Sequence, residues 1–411
     1  MLSQDSGHTE FPTLPSLTQL EQPEAGSVCV VGLSGGVDSA LTAMLLKEKG
    51  CRVIGVTMSK WTGDLDLPSA DEGMKASCYG PDEAKDIAAC EAFCREQGFE
   101  YHVIPVGEAY HREVLEYFKS EYRAGRTPNP CIRCNPLVKF GAMIEGVRSL
   151  GIQFDYFCTG HYARIVRNSA GGLFVQSAED STKDQAYFLY RLPQETLAFV
   201  RFPLGSYAKK DVVAMAHERN LAAASRAESQ DFVPPEYFDV IFSDKPPVPG
   251  DIVDLDGKKL GTHRGIEYYT IGQRRGLGVS SSRPLYVHSI DAANNRVVLA
   301  DNDDLLEAGL VAGDWVWGGG TAPKEAFSAL VKIRLASRPV EATIAPVKAD
   351  EASVGDTASE SGLSSGGSSE SGLWQIRFEK PQRAVAPGQS AVVYYKGIIL
   401  GGGIISRAIH E

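Results

Sequence analysis

Two short strings hold the residue types best suited to chemistry. The first is Gly32-Leu33-Ser34-Gly35-Gly36-Val37-Asp38-Ser39. Adjacent glycines let the backbone fold tightly enough for several N–H groups to converge on one anion. A helix opening at Val37 adds the positive end of its dipole. The hydroxyls of Ser34 and Ser39 can donate hydrogen bonds. Asp38, in the first helical turn, is placed either to cap the helix or to hold Mg2+ on phosphates. The string lacks the Gly-Lys-Ser/Thr ending of a Walker A loop. A plain turn with an N-cap is the bland alternative, but the whole string at a strand–helix junction is more specific than that.

The second string is Asn129-Pro130-Cys131-Ile132-Arg133-Cys134-Asn135-Pro136. Asn135 reads as an N-cap and Pro136 as a first helical residue. Leu137, Phe140, Ile144 and Val147 then form an apolar stripe, and Gly151 ends it. Cys134 would precede a helix N-terminus, where a thiol pKa drops below its free value of about 8.5. Arg133 and Lys139 would add to that effect and make Cys134 a nucleophile. A zinc site is the structural alternative, and it needs a second pair of ligands. The other cysteines (Cys29, Cys51, Cys78, Cys90, Cys94 and Cys158) offer no second Cys-x-x-Cys. Cys29, Cys51, Cys90 and Cys94 read as small buried apolar residues.

The elements around these strings alternate strand and helix. Val28–Val31 and Val53–Val56 are buried-strand runs, and Val37, Leu41, Met44 and Leu45 share one helix face up to Gly50. A helix at 87–97, a strand at 101–104, a helix at 108–124 and a strand at 156–158 follow. This is the pattern of a doubly wound parallel α/β sheet. From about Leu221 the chain changes to proline-punctuated short strands. These include 285–290, 296–299, 332–335 and 391–395, which indicate a small linking domain and then a β-barrel. The expected division is a disordered tail at 1–26, a catalytic domain at 27–217, a linking domain at 218–284 and a barrel at 285–411. A flexible Ser/Gly-rich loop is expected at 349–372.

Composition limits the function classes. The 411 residues are 43% hydrophobic and 23% charged, as in a globular protein with real cores. The formal net charge of −11 argues against a protein that coats nucleic acid, though not against a local basic face. No run of roughly 18 apolar residues is present, so no membrane span is expected. The polar, acidic start is unlike a secretory or transit signal. Eight cysteines without such a signal point to a reducing, cytoplasmic setting.

The first string resembles the PP-loop of ATP pyrophosphatases, which cleave ATP to AMP and pyrophosphate while adenylating a carbonyl oxygen. From about Val28 to Ile405 the chain resembles the bacterial tRNA-specific 2-thiouridylases of the MnmA family. The motifs come in the family's order. The loop is followed by 124–130 leading into Cys134-Asn135, then Thr159-Gly160-His161, then Lys183-Asp184-Gln185-Ala186-Tyr187. Glu228-Ser229-Gln230-Asp231, Thr270-Ile271-Gly272-Gln273-Arg274-Arg275, Pro387-Gly388-Gln389-Ser390 and Leu400–Ile405 complete the match. The resemblance implies ATP bound at Gly32 to Ser39, Met58 and Gly160. It implies Cys134 as nucleophile and a tRNA contact at Lys183, Asp184 and Gln185. The substrate would be the wobble uridine of tRNAs for Lys, Glu and Gln, taken out of its stack in the anticodon loop. Further affinity would come from basic residues such as Arg123, Arg126, Lys209, Lys210, Arg264, Arg274 and Arg275.

The chain departs from the family at one point. The family's second, persulfide-bearing cysteine would fall nearest Val233, and no cysteine follows Cys158. Cys131 could replace it beside Cys134, or Cys158 could. Alternatively, Cys131 and Cys134 could hold an iron–sulfur cluster or accept sulfide from outside. A persulfide or sulfide donor, such as a cysteine desulfurase relay, is implied. Another PP-loop ligase, or a degenerate tRNA-binding relative, remains open at this level.

Overall fold

The computed structural model describes residues 17–67, 78–225, 232–233, 237–347 and 372–410. Its first unit is a five-stranded parallel sheet. The strand order is Glu100–Pro105, Arg52–Ser59, Val28–Gly32, Tyr156–Thr159 and Val200–Arg201. The chain winds one way from Val28–Gly32 and then the other way to Tyr156–Thr159. The order reverses between those two strands, and their carboxyl ends form the crevice where such sheets bind ligands.

The helix Val37–Glu48 packs over this edge. Val37, Ala40, Leu41, Ala43 and Leu46 are buried. Complete burial of a leucine such as Leu41 stabilises by about 1.5–3 kcal/mol. The helix Lys209–Glu218 crosses it through Val212 and Ala216, in one cluster with Val37, Leu41 and Tyr162. Gly50 ends the first helix at φ +89°, a conformation open to glycine.

A four-stranded sheet follows, in the order Lys259–His263, Gly250–Val253, Arg296–Ala300, Tyr286–Asp291. The expected boundary at 284/285 is therefore misplaced. Arg296–Val298 pairs with Asp251–Val253, so the linking unit keeps its strands to Ala300. Alternation alone cannot tell which sheet a strand will join. Six further strands close a barrel: Leu306–Trp317, Trp374–Arg383, Val340–Pro346, Phe327–Lys332, Ser390–Tyr395 and Ile398–Ile409. The strand expected at 332–335 instead ends at Lys332. Arg334 then turns inward and donates to the Ile271 and Ala384 carbonyls. The loop expected at 349–372 lies outside the described residues apart from Gly372.

Two further features depart from expectation. The hairpin Ala163–Asn168/Leu173–Ser177 leaves the parallel sheet and joins the barrel through Ile398↔Gln176. Residues 17–26, expected within a disordered tail, include a strand, Leu17–Leu20, paired with Val166–Asn168. Glu21 anchors this segment by ion pairs to Arg167 (2.8 Å) and the buried Arg201 (2.9 Å). A carboxylate between two guanidiniums is a local tie that an apolar count does not register.

Candidate active site

The glycine loop has the geometry of an anion cradle. Gly35 has φ +76°, and Gly36 stands at the N-cap in extended backbone. The Ser34 N–H donates to Ser39 Oγ (3.2 Å), and Ser39 Oγ donates to the Gly36 carbonyl (3.0 Å). These bonds fix the turn while Ser34 stays exposed. Leu33 is tied to the neighbouring strand through its N–H to the Val56 carbonyl (2.8 Å). Met58 lies near the end of that strand, half-buried and paired with Ile104, two residues beyond the last pair with the loop's own strand.

Gly160 closes the cradle from the other side of the crevice. A Cβ there would lie 2.8 Å from the Asp38 carbonyl carbon and 2.9 Å from the Ser39 nitrogen. Only a bare Cα lets the Thr159-Gly160-His161 turn approach the first turn of the helix.

Asp38 serves neither of the roles expected of it. It accepts from Lys209 Nζ (2.8 and 2.9 Å) and from the Tyr162 hydroxyl (2.9 Å). A carboxylate held this way sets an ammonium group beside the anion cradle. Three of its roughly four lone-pair sites are then taken, and the adjoining Lys209 charge disfavours a metal ion there.

The cysteine string also differs from expectation. Its helix starts at Pro130, with Asn129 as N-cap, and runs on through a widened turn at Asn135–Ala142 to Ser149. Asn129-Pro130 and Asn135-Pro136 carry the same start signal, and the earlier pair is the one used. Pro136, which has no N–H to give, is absorbed in the π-type widening. Cys134 therefore lies inside the helix, and its thiol is not acidified. Burial pushes Cys134 up to about 11, against the lowering pull of Lys139 and Lys60. Burial likewise pushes Cys131 up to about 12.

Lys60 and Glu83, near these thiols, belong to no string singled out in the sequence. Lys60 Nζ pairs with Glu83 (3.0 Å), whose carboxylate also accepts from the Lys60 and Trp61 N–H groups. Burial alone would lower the Lys60 ammonium pKa. The facing Glu83 carboxylate and the Cys78 thiol more than offset this, so it is raised. Lys139 Nζ meets His161 Nε2 (3.4 Å), and His161 Nδ1 meets Thr159 Oγ1 (2.7 Å). Burial and the Lys139 charge hold His161 well below its usual pKa, so it is neutral. Cys134, Lys139, His161 and Gly160 thus link the thiol helix to the anion cradle. The spacing of Lys60 and Glu83 from the cysteines in sequence gave no signal for this grouping.

The other expected residues are distributed unevenly. Asp184 is occupied by the N–H groups of Ala178 (2.9 Å) and Ala186 (3.2 Å) and by the Ser177 hydroxyl. The Gln185 side chain accepts from the Tyr162 N–H (2.9 Å). Both hold the turn behind the cradle, and Lys183 beside them is half-buried. Arg123 pairs with Asp244, and Arg126 with Glu121. Arg274 and Arg275 are exposed on a loop braced by Gln273, which bonds the Thr270 N–H and the Arg275 carbonyl. Cys158 is fully buried against Cys29 in a cluster with Cys51, Cys90 and Cys94, far from any role in relay. Among the described residues, no three His, Cys, Asp or Glu side chains gather so as to hold a metal ion. Nor is any helix among them long and apolar enough to cross a membrane.

Comparison with known proteins fits this geometry. Residues 27–234 match the tRNA methyl transferase HUP domain family, 239–301 its PRC-barrel domain, and 367–405 an aminomethyltransferase beta-barrel domain. The tRNA-specific 2-thiouridylase MnmA of Endomicrobium trichonymphae is 40% identical, over 92% of this chain and 98% of its own length. The protein of that name from Chloroflexus aurantiacus (strain J-10-fl) is 39% identical, over 92% and 98%. The one from Geobacter metallireducens is 39% identical, over 93% and 97%. With its anion cradle and thiol helix in place, and with relatives of this kind matched along nearly their whole length, the chain belongs to the tRNA-specific 2-thiouridylase (MnmA) family.

Proposed function

We propose that this chain is an ATP-dependent tRNA 2-thiouridylase acting on the wobble uridine of tRNAs for Lys, Glu and Gln. The observation that carries the reading is the joining of two devices at one sheet edge. The anion cradle meets the thiol helix through Gly160, His161 and Lys139. ATP binds with its phosphates on Gly32 to Ser39 and its adenine near Met58 and Gly160. The uridine C2 oxygen attacks the α-phosphorus, and pyrophosphate leaves. The adenylated oxygen can then depart as AMP when sulfur attacks C2. Lys209, held by Asp38, offsets phosphate charge as it develops. Neutral His161 and the Lys139 ammonium border the path between the cradle and Cys134. Cys134 takes part in the transfer of sulfur, which an external persulfide or sulfide donor supplies.

Magnesium on the triphosphate would supply further charge neutralisation. The Asp38 carboxylate is already bonded to Lys209 and Tyr162, so it does not fit a metal ligand as it stands. An iron–sulfur cluster or zinc at Cys131 and Cys134 is likewise not supported by a ligand set among the described residues. Transfer of tRNA to the enzyme draws on Arg274 and Arg275, with Lys183 at the cradle's flank.

The matched domain family carries a methyl transferase description. A methyl transferase has no use for an ATP-adenylating cradle beside a thiol helix, so the two readings separate experimentally. Full-length protein is given unmodified tRNA(Lys), ATP, magnesium and a persulfide donor, and AMP and 2-thiouridine are scored together. Formation of both products, dependent on tRNA, is the expected result. AMP without 2-thiouridine from any donor would reduce the chain to an adenylating ligase. Neither product would remove the reading altogether.

A further inference from the structure

The thiol site holds a third cysteine. Cys78 is exposed, and its Sγ lies 3.7 Å from the hydroxyl of the buried Tyr110. Tyr110 lies within charge range of Cys131 and Cys134 as well, and negative charge on any of the three opposes its ionisation. Cys78 also sits within charge range of both helix thiols and of Lys60. Three thiols therefore lie around the Tyr110 hydroxyl, and the Lys60 ammonium is within charge range of two of them. Cys78 Sγ is also 3.7 Å from the carbonyl oxygen of Phe232. Phe232 is packed on Tyr110 and Phe118, and it precedes Val233, the position where a second relay cysteine would be expected.

We infer that Cys78 is the sulfur-carrying thiol of this enzyme, presented from a neighbouring loop at the place where Val233 has none. The inference rests on the thiouridylase reading above. Cys131 is the weaker carrier, because it shares one short helix with Cys134 and is less exposed than Cys78. Cys78 has the exposure that a macromolecular sulfur donor requires.

The Cys78 thiolate attacks the outer sulfur of a donor persulfide, and the donor leaves as a thiolate. The Cys78 persulfide, facing the Lys60 ammonium, attacks C2 of the adenylated uridine, and the C2–O bond breaks to release AMP. The Cys134 thiolate then attacks Cys78 Sγ. The S–S bond to the transferred sulfur breaks, leaving 2-thiouridine and a Cys78–Cys134 disulfide. An external dithiol reduces that disulfide and restores both thiols.

The test uses the full-length protein. It is incubated with polysulfide, alkylated and digested, and the peptides are weighed. A separate single turnover with tRNA and ATP is run without reductant, and disulfide-linked peptides are mapped. Thiolation by Cys78→Ser is measured beside wild type. The expected results are one extra sulfur on the Cys78 peptide, a Cys78–Cys134 disulfide after turnover, and loss of 2-thiouridine to background in Cys78→Ser. Extra sulfur confined to Cys131 or Cys134, a Cys131–Cys134 disulfide, or wild-type thiolation by Cys78→Ser would overturn it. The mapping is done on wild type, so it stands even if the variant folds poorly. Failure of wild type to make AMP and 2-thiouridine would strike the thiouridylase reading instead.

Discussion

At the scale of single residues, the thiol chemistry works against burial. A Cys134 thiol raised to about 11 is mostly protonated near neutrality, and only the thiolate is nucleophilic. Its alkylation by iodoacetamide should therefore rise about tenfold per pH unit from 7 to 10 and level off near 11. Peptide-resolved labelling rates over that range check this. A plateau already at pH 8 would show an acidified thiol. The sequence located both cysteines and the cradle, because Ser-Gly-Gly-Val-Asp-Ser and Cys-x-x-Cys are local patterns. It misjudged the environment of Cys134, because two Asn-Pro pairs six residues apart send the same helix-start signal. It also passed over Cys78, whose partners Tyr110, Lys60 and Phe232 come together only in the folded chain. One trace was visible: Cys78 follows a stretch of sequence rich in polar residues, unlike the five core cysteines.

Among elements, the crevice depends on how closely two segments approach. Gly160 reaches within a backbone contact of the helix Val37–Glu48. Gly160→Ala would force that turn away, and overpacking of this kind costs about 1–3 kcal/mol. ATP affinity should fall by about 10- to 100-fold, read by calorimetry, while the circular dichroism spectrum stays that of the native fold. Unchanged ATP affinity would remove Gly160 from the cradle. The parallel sheet was legible because its strands are continuous Val/Ile runs separated by helical periodicity. The hairpin Ala163–Ser177 was not, since its place is set by pairing with Ile398, more than two hundred residues on. The segment 17–26 was missed for a related reason: its anchor is Glu21 between Arg167 and Arg201, a bond between distant charges.

Over the whole molecule, a protein of net charge −11 must concentrate its tRNA affinity in a few places. The exposed Arg274 and Arg275 supply one. Replacing both with alanine should weaken tRNA binding and lower the salt dependence of log K by about one to two, with ATP affinity unaltered. Filter binding across a salt series measures it, and an unchanged slope would place the phosphate contacts elsewhere. The barrel reaches the active site by a different route. Its Pro387 carbonyl accepts from the Thr127 N–H (2.8 Å), and Gln389 Nε2 donates to the Thr127 (3.0 Å) and Pro128 (3.2 Å) carbonyls. A Cβ at Gly388, which has φ +89°, would fall 2.9 Å from the Thr127 oxygen. Gly388→Val should lower Tm by a few degrees and speed hydrogen exchange through 127–132. Unaltered exchange there would show that the barrel does not brace the thiol helix.

This clasp also has a consequence in time. Thr127 and Gln389 are 262 residues apart, and synthesis at about 5–20 residues per second separates them by roughly 10–50 seconds. During that interval a nascent chain can assemble its parallel sheet and cradle, yet the loop leading to Cys131 and Cys134 lacks its bonds to the barrel. The thiols gain their final setting only as the last strands leave the ribosome. Translation itself thus acts as the release step for an enzyme whose substrate is the adaptor of translation.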